Sequence, residues 1–225
     1  MMNQIKAYYV LNMKMLMKDK LSFIWVLFLP SMTFVCQSPM QGGEHHLRFY
    51  WAYIIFSAYV FGIGLHALNL KEQGCLKTYF SIKPTRLSFF IANLLTQMTF
   101  SFVTLLIFNL LAAQVLQVNV LPLMVSSSIL IIAGIPIAFL FYGLTLFKRV
   151  HYQSLNTLMV IATSLCLLGQ SVSGRMGIFN PLNYLAMIVM MTKEHFVLYF
   201  LLSVLFIAIG CYSIKKFSVM SNEVR

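Results

Sequence analysis

The feature that most constrains this chain is a stretch of 61 consecutive residues, 87–147, that contains no charged side chain. An α-helix rises 1.5 Å per residue, so about 20 apolar residues cross the roughly 30 Å hydrocarbon core of a bilayer. The stretch is therefore too long for one crossing and fits two membrane-spanning helices joined by a short turn. Polar and helix-breaking residues near its middle predict the position of that turn: Gln114, Gln117, Asn119 and Pro122.

The composition of the whole chain agrees with a membrane-embedded protein. Of the 225 residues, 60% are hydrophobic and 9% are charged, and the mean hydropathy is +0.84. These values exclude a soluble globular protein. Only five acidic residues are present, which leaves too few carboxylates for acid dyads, multi-acid metal sites or proton relays. The four cysteines show no C-x-x-C spacing, and we expect them to be packing thiols.

Counting apolar segments against the bilayer thickness predicts an all-α integral membrane protein with six transmembrane helices. The first span is interrupted by Pro30, and we expect the fourth to kink at Gly134 and Pro136. No cleavable signal is evident, so the first span should stay in the protein. The six spans are predicted at residues 21–37, 49–70, 88–113, 123–147, 152–169 and 196–214.

A further apolar stretch, residues 176–192, is interpreted differently. Asn180 and Pro181 interrupt it, and only about ten apolar residues follow the proline, which is too short for a crossing. A seventh span would also move the basic C-terminal segment to the outer side. We therefore interpret residues 170–195 as an outward-facing hairpin that dips into the membrane before the last span, either re-entrant or interfacial.

Basic residues orient the predicted spans. If the N-terminus is cytoplasmic, thirteen of the 16 Lys and Arg residues lie in inner segments and three in outer ones. The excess of Lys and Arg on cytoplasmic loops then places both termini in the cytoplasm. The net charge of +11 is expected to meet anionic lipid headgroups rather than nucleic acid. Few Ala, many Lys, Asn and Phe, and the lack of targeting features favour a bacterial cytoplasmic membrane as the location.

Residues 3–19, before the first span, predict an amphipathic helix on the inner membrane surface. Lys6, Lys14 and Lys18 fall on one side of a helical wheel. The opposite, apolar side carries Ile5, Tyr8, Tyr9, Met15 and Leu16, interrupted by Asn12. The alternative is a solvated basic leader that only enforces the topology.

The inner loop at residues 71–87 is the longest polar segment on the predicted cytoplasmic side. Gly74 is expected to end one helix, and residues 75–82 could form two turns of another that ends before Pro84. That short helix would display Leu76, Tyr79 and Phe80 next to basic groups and could dock another protein. The alternative is a basic topology loop with an incidental Gly and Pro.

This loop resembles the coupling loop of ABC-2-type (type V) ABC transporter permease subunits. The residues that match the family pattern are Glu72, Gly74, Leu76, Pro84 and Arg86. In outline the resemblance extends to the basic leader, the six spans and the broken hairpin before the last one. Cys75 departs from the family, which usually has a small hydroxyl residue there, and Asn93 stands where a Lys is common.

The resemblance implies an ATP-driven exporter in which this chain is the permease. No phosphate-binding G-x-x-x-x-G-K-[ST] motif occurs, so ATP and Mg would bind a separate cytoplasmic ATPase, and this chain is expected to hold no cofactor and to be no enzyme itself. A second permease copy or paralogue would complete the membrane domain. Similar small bacterial permeases export peptide antibiotics and amphipathic peptides such as phenol-soluble modulins. The residues expected to couple to the ATPase are Glu72, Gly74, Leu76, Lys77, Tyr79, Phe80, Pro84 and Arg86.

The resemblance places Glu72 at the junction with the ATPase. Its alternative is a carboxylate near the membrane surface that pairs with Lys71.

A polar stripe on the fifth span predicts a translocation path. Gln153, Asn156, Thr157 and Ser164 share one helix face, which is not expected to contact lipid. Tyr53, Ser57 and Gly64 share a face of span two that could oppose it, and the resemblance places these two spans around the pathway. The alternative is ordinary burial of the polar face against other helices through hydrogen bonds.

Two other function classes compete with the ABC permease. A stand-alone secondary transporter or channel would need a buried ionisable residue or matching broken half-helices. An intramembrane enzyme would need clustered catalytic groups, whereas His66 has no evident partner in the spans. Glu44, His45 and His46 lack a fourth ligand, so no metal site is predicted.

Overall fold

A computed structural model of the chain describes residues 2–18, 20–37, 47–76, 80, 85–147, 151–169, 180–186, 188 and 193–217. All regular secondary structure within these residues is helical. The helices are α1 (Met2–Lys18), α2 (Lys20–Gln37), α3 (Leu47–Tyr59), α4 (His66–Glu72), α5 (Arg86–Leu116), α6 (Val120–Ala133), α7 (Ile135–Tyr142), α8 (Tyr152–Leu168), α9 (Pro181–Ala186) and α10 (Lys193–Lys216). A π-helical segment, Val60–Leu65, joins α3 to α4, and a 3₁₀ turn, Gly143–Leu146, follows α7.

Four helical stretches are long and apolar enough to cross a membrane, namely Leu47–Glu72, Arg86–Leu116, Val120–Leu146 and Val197–Lys216. They coincide with the predicted second, third, fourth and sixth spans. The predicted first and fifth spans lie on the shorter apolar helices Ile24–Cys36 and Tyr152–Leu168. Every segment predicted to span is thus helical, and four of the six have spanning length on their own.

The two central helices α5 and α6 form the hairpin predicted from the charge-free stretch. Gln117 adopts a left-handed backbone with φ of 55° directly after α5. The Val118 N–H donates to the Ala113 carbonyl at 3.2 Å and closes the end of the helix. Helix α6 begins after Asn119, so the turn occupies three residues near the middle of the predicted segment.

Three buried polar side chains connect this hairpin to α3. Trp51 Nε1 donates to Asn109 Oδ1 at 2.7 Å, and Asn109 Nδ2 donates to Ser127 Oγ at 2.9 Å. The three residues lie on α3, α5 and α6, and each is buried. Because polar groups in an apolar interior need hydrogen-bond partners, this chain of bonds specifies how the three helices pack.

The expected kink at Gly134 and Pro136 is a break between α6 and α7. Proline cannot donate to the preceding turn, so the break leaves carbonyls without helical partners. Two tyrosine hydroxyls donate to carbonyls there: Tyr59 to Ile131 at 2.7 Å and Tyr199 to Ala133 at 2.8 Å. These tyrosines belong to α3 and α10, so the break also ties the central helix to the last one.

Helix α1 has the two faces that were predicted. Lys6, Lys14 and Lys18 are exposed, whereas the apolar side is half-buried and packs against α5 of the same chain. Tyr8 shares a hydrogen bond with Thr85 at 2.9 Å. The position of this helix on the inner membrane surface stays a prediction.

Most of the predicted outer hairpin lies outside the described residues. Within it, Pro181 starts helix α9 rather than breaking a helix, because its missing N–H costs nothing in the first turn. Asn180 Oδ1 accepts the Leu182 N–H at 3.0 Å, as a residue at a helix start typically does. Helix α9 packs against α3.

The π-helical segment changes which residues of the second span face each other. A π turn holds one residue more than an α turn, so side chains beyond it rotate relative to the α-helical pattern. Gly64 consequently lies against α7, where an added Cβ would stand 2.5 Å from the Phe141 carbonyl oxygen. This close approach of two backbones requires glycine.

We expect Gly64→Ala to lower the free energy of unfolding by about 1–3 kcal/mol, because a methyl group has no room against the rigid Phe141 backbone. Unfolding by SDS in mixed micelles measures this change. The control is Gly169→Ala, where an added Cβ meets no described atom within 4 Å. Equal stability of the two variants would contradict the packing of Gly64.

Candidate functional site

A cavity of about 580 Å³ lies between α1, α2, the second span, α5 and α8. Five carboxamide side chains line it, together with several hydroxyl groups and the imidazole of His66. The carboxamides are Asn12, Asn69, Asn93, Gln97 and Asn156. Each carboxamide can donate and accept hydrogen bonds, so this group of residues, the amide cavity, can recognise polar ligands without carrying charge.

Two of these carboxamides are buried without a partner in the described chain. Asn93 is fully buried and Asn12 is 3% exposed, and neither the oxygen nor the nitrogen of either amide hydrogen-bonds to a described residue. An unsatisfied buried polar group costs about 1–3 kcal/mol. Two such groups line one cavity. The fold therefore has an unfavourable free energy at this cavity that packing does not explain.

Gln97 enters the cavity beside the π-helical segment. Its Nε2 donates to the Gly62 carbonyl at a long 3.4 Å, and its side chain occupies the space where a Cβ of residue 62 would stand. Glycine at position 62 therefore makes room for the amide. A π turn at this point is typical of functional sites in helices.

The predicted path residues divide between the cavity and other surfaces. Tyr53, Ser57 and Asn156 line the amide cavity. Gln153 and Thr157 are exposed and lie outside the cavity lining, and Ser164 is half-buried and also lies outside it. Gly64 packs on α7, as described above.

Sequence reasoning missed most of the amide cavity. On α5, the residues Asn93, Thr96 and Gln97 line it, and Ser101 and Thr104 continue the same buried polar stripe. Their spacing of three and four residues is that of one helix face. This stripe could have been recognised in the sequence. It lies within the charge-free segment, which was interpreted for its length and not for its polar side chains. His66, Asn69 and Asn12 come from other helices and were not recognisable as neighbours.

A second cavity, of about 860 Å³, lies between α7, α8, α9 and α10 and differs in chemistry. Its lining is mainly apolar, and polar groups along it have partners. Asn180 Nδ2 donates to the Cys166 carbonyl at 2.8 Å, and the Tyr184 hydroxyl lies 3.1 Å from Ser203 Oγ. This contrast makes the amide cavity the stronger candidate for ligand recognition.

The C-terminal end of the second span is joined to the start of α8 and to the 3₁₀ turn that follows α7. Lys71 is 3% exposed, and its Nζ donates to the Thr145 carbonyl at 3.0 Å. Glu72 Oε1 accepts the Tyr152 N–H at 2.7 Å, in the first turn of α8. A carboxylate there is favourable because the helix N-terminus carries partial positive charge.

The loop after Glu72 is arranged differently from the prediction. Gly74 ends the helix as expected, with φ of 69°. Leu76 and Phe80 are buried instead of displayed, because Phe80 packs edge-to-face on Phe89 and Phe217. The expectation that they enter a groove on a partner is wrong for this conformation.

Of the remaining loop residues, Arg86 donates to the Lys215 carbonyl. Lys77, Tyr79 and Pro84 lie outside the described residues. The described residues on the accessible side of the loop are Gln73, Gly74 and Cys75, which we call the loop tip.

We expect Glu72→Leu to destabilise the start of α8 by about 1 kcal/mol, because the Tyr152 N–H loses its acceptor. Hydrogen exchange of the amides at 152–155, measured by mass spectrometry, should become faster. Glu72→Gln keeps an acceptor oxygen and is the matched control with a smaller effect. Unchanged exchange in the leucine variant would contradict the role of Glu72.

Comparisons of the chain with protein-family models, with characterised proteins and with solved structures find no match. The features that bear on function are the amide cavity and the contacts that join its walls to the loop tip.

Proposed function

We propose that this chain is the membrane-spanning permease subunit of an ATP-driven exporter, with the amide cavity as part of its substrate path. The cavity lies between helices of membrane-spanning character and is lined by polar, uncharged groups. Such sites bind ligands of small-molecule size at roughly 300–1,000 Å³. The observation that carries the proposal is the Glu72–Tyr152 hydrogen bond, which joins the loop to a cavity-lining helix.

Contacts at one end of the molecule support a six-span topology with both termini in the cytoplasm. The charge count assigns the segments around residues 71–86, 145–152 and 215–217 to the same side. In the structure these segments meet directly, through Lys71 with Thr145, Glu72 with Tyr152, and Arg86 with Lys215. Short α2 and α8 are then the first and fifth spans.

The energy would arrive from a separate cytoplasmic ATPase, since the sequence has no nucleotide-binding motif. The loop tip is the contact that we assign to this partner. Phe80 then serves as an anchor that fixes the tip to Phe89 on α5 and to Phe217 directly after α10, and Glu72 fixes it to α8. A push on the tip would move cavity walls because these contacts are buried and stiff.

A second permease copy or paralogue would cover the outer side of α8. Gln153 and Thr157 are exposed there next to Leu158 and Ile161, and polar side chains are unfavourable against lipid. In this assembly the two chains would enclose a common route. The resemblance to small bacterial permeases favours export of amphipathic or hydrophobic peptides across a cytoplasmic membrane.

The test uses variants that retain one cysteine each. We expect a bulky polyethylene glycol maleimide on Cys75 to release the ATPase that co-purifies with the chain from its native membranes, because the label occupies the loop tip. The control retains only Cys36, which is exposed on α2 at the far end from the inner loops. ATPase activity in the purified material is the readout.

Two outcomes would contradict this proposal. If the chain purifies from native membranes without any ATPase, the proposed energy source is absent. Retention of the ATPase after complete labelling of Cys75 would remove the loop tip as its contact.

A stand-alone proton-coupled transporter is the second candidate, because one observation favours it. His66 lines the amide cavity, and the fourth span is broken into α6 and α7. Ionisable groups and broken helices inside the membrane are typical of secondary transporters. Proteoliposomes that contain only this chain and a trapped pH dye distinguish the two: proton flux that His66→Gln abolishes would favour this candidate.

A further inference from the structure

We infer that the amide cavity is a binding site for a neutral amphipathic ligand that presents amide or hydroxyl groups, such as a capped short peptide. This deepens the proposed function, and it rests on that function only in treating the ligand as a transported substrate. Binding itself is a property of this chain and can be measured without an ATPase.

The unpartnered amides define the polar part of the ligand. Asn12 and Asn93 lie on different helices, α1 and α5, and both line the cavity with their hydrogen-bonding atoms unsatisfied by the described chain. Each carboxamide offers an N–H pair and an oxygen. A peptide group offers the complementary acceptor and donor, so a short amide ligand carries the hydrogen-bonding groups that these two residues lack.

The charge expected of the ligand follows from the lack of charged side chains on the cavity lining. No Asp, Glu, Lys or Arg is among the described residues that line the cavity, and His66 is the one imidazole there. An ion placed among neutral groups loses hydration without gaining a counter-charge. The site therefore favours a neutral ligand over a cationic or an anionic one of equal size.

The apolar residues of the cavity lining indicate what the apolar part of the ligand should be. Trp25, Phe61, Phe100 and Val160 contribute apolar surface. Aromatic side chains contribute much buried area to ligand contacts. A ligand with one or two apolar side chains beside its amides would fill a volume of about 580 Å³ better than a small polar solute.

The amide of Asn12 closes the cavity on the side of α1. This helix is held by Tyr8 at Thr85 and by Tyr9 at Thr99, with hydroxyl distances of 2.9 and 3.1 Å. The apolar side of α1 also packs on α5, where the Tyr8 ring meets the Phe89 ring edge-to-face at a centroid distance of 6.0 Å. The wall that carries Asn12 is therefore part of the packed fold.

Tryptophan fluorescence of the full chain in lipid nanodiscs at pH 6, where a free peptide amino group is protonated and a free carboxyl group is ionised, tests the site. The probe is N-acetyl-leucyl-phenylalanine amide, compared with the same dipeptide bearing a free amino group or a free carboxyl group. Only two tryptophans are present, and Trp25 lines the cavity whereas Trp51 is buried at Asn109. The Trp25→Phe variant keeps Trp51 and reports any signal from partition of the probe into lipid.

We expect the neutral probe to bind at least about tenfold more tightly than either charged analogue, which equals about 1.4 kcal/mol. Asn12→Leu and Asn93→Leu should each weaken that binding by about tenfold or more. Both variants should also melt at the same or a higher temperature than the parent chain, because each removes an unsatisfied buried amide. Asn3→Leu on α1 and Gln114→Leu on α5 are the matched controls, since both side chains are exposed.

Three outcomes would overturn the inference. One is equal or tighter binding of a charged analogue, which would indicate an ionic substrate site. Another is no binding of the neutral probe up to its solubility limit. The third is a lower melting temperature in both asparagine variants, which would show that the two amides stabilise the fold. ATPase co-purification is independent of all three, so a failure here is distinguishable from a failure of the proposed function.

Discussion

The structure depends on one constraint, which is that a polar group inside a membrane must find its partner within the protein. Water is absent from the hydrocarbon core, so helices supply most backbone bonds and side chains supply the rest. Tyr59 and Tyr199 donate to carbonyls at the break between α6 and α7. Asn109 connects Trp51 and Ser127 in the same way across three helices. The packing of the central helices follows from these bonds.

Against that background, the amide cavity is where two whole carboxamides lie buried without a described partner, whereas Arg48, Ser101 and Tyr142 hold single unpartnered groups outside it. Asn12 and Asn93 are buried as deeply as the bonded residues yet have no described partner. Apolar side chains at these two positions would pack at lower cost, because removal of an unsatisfied amide is neutral or stabilising. Sites that keep such a cost are typically functional. The second cavity, with partnered polar groups along its apolar lining, lacks this signature.

The helices and their ends could be predicted from the sequence because local chemistry determines them. Chain length without charge predicted the hairpin, Gln117 and Asn119 marked its turn, and Pro136 marked the break. The neighbours of each helix could not be predicted, since they depend on packing between distant segments. That is why the packing of the apolar side of α1 on α5 was not predicted.

The dependence on packing between distant segments also explains why only some of the predicted path residues line the amide cavity. Tyr53 and Ser57 lie before the π-helical segment and face the amide cavity, as a regular helix predicts. Gly64 lies within that segment, where the extra residue in the turn rotates it onto Phe141. Helical spacing alone could not reveal the π turn, and it therefore failed at the point where the second span departs from α geometry. Burial of Phe80 likewise depends on Phe89 and Phe217, which belong to other segments of the chain.

The proposed coupling between the loop tip and the cavity depends on the burial of the loop's apolar side chains. A loop whose apolar side chains were displayed would be free to bend when pushed, and little motion would reach the membrane. Here Phe80 is fixed between α5 and α10, and Glu72 holds the first turn of α8. Asn69 lies one helical turn before Glu72, and Asn156 lies one turn after Tyr152. Force at the loop tip would thus act within one turn of two amides on opposite walls of the cavity.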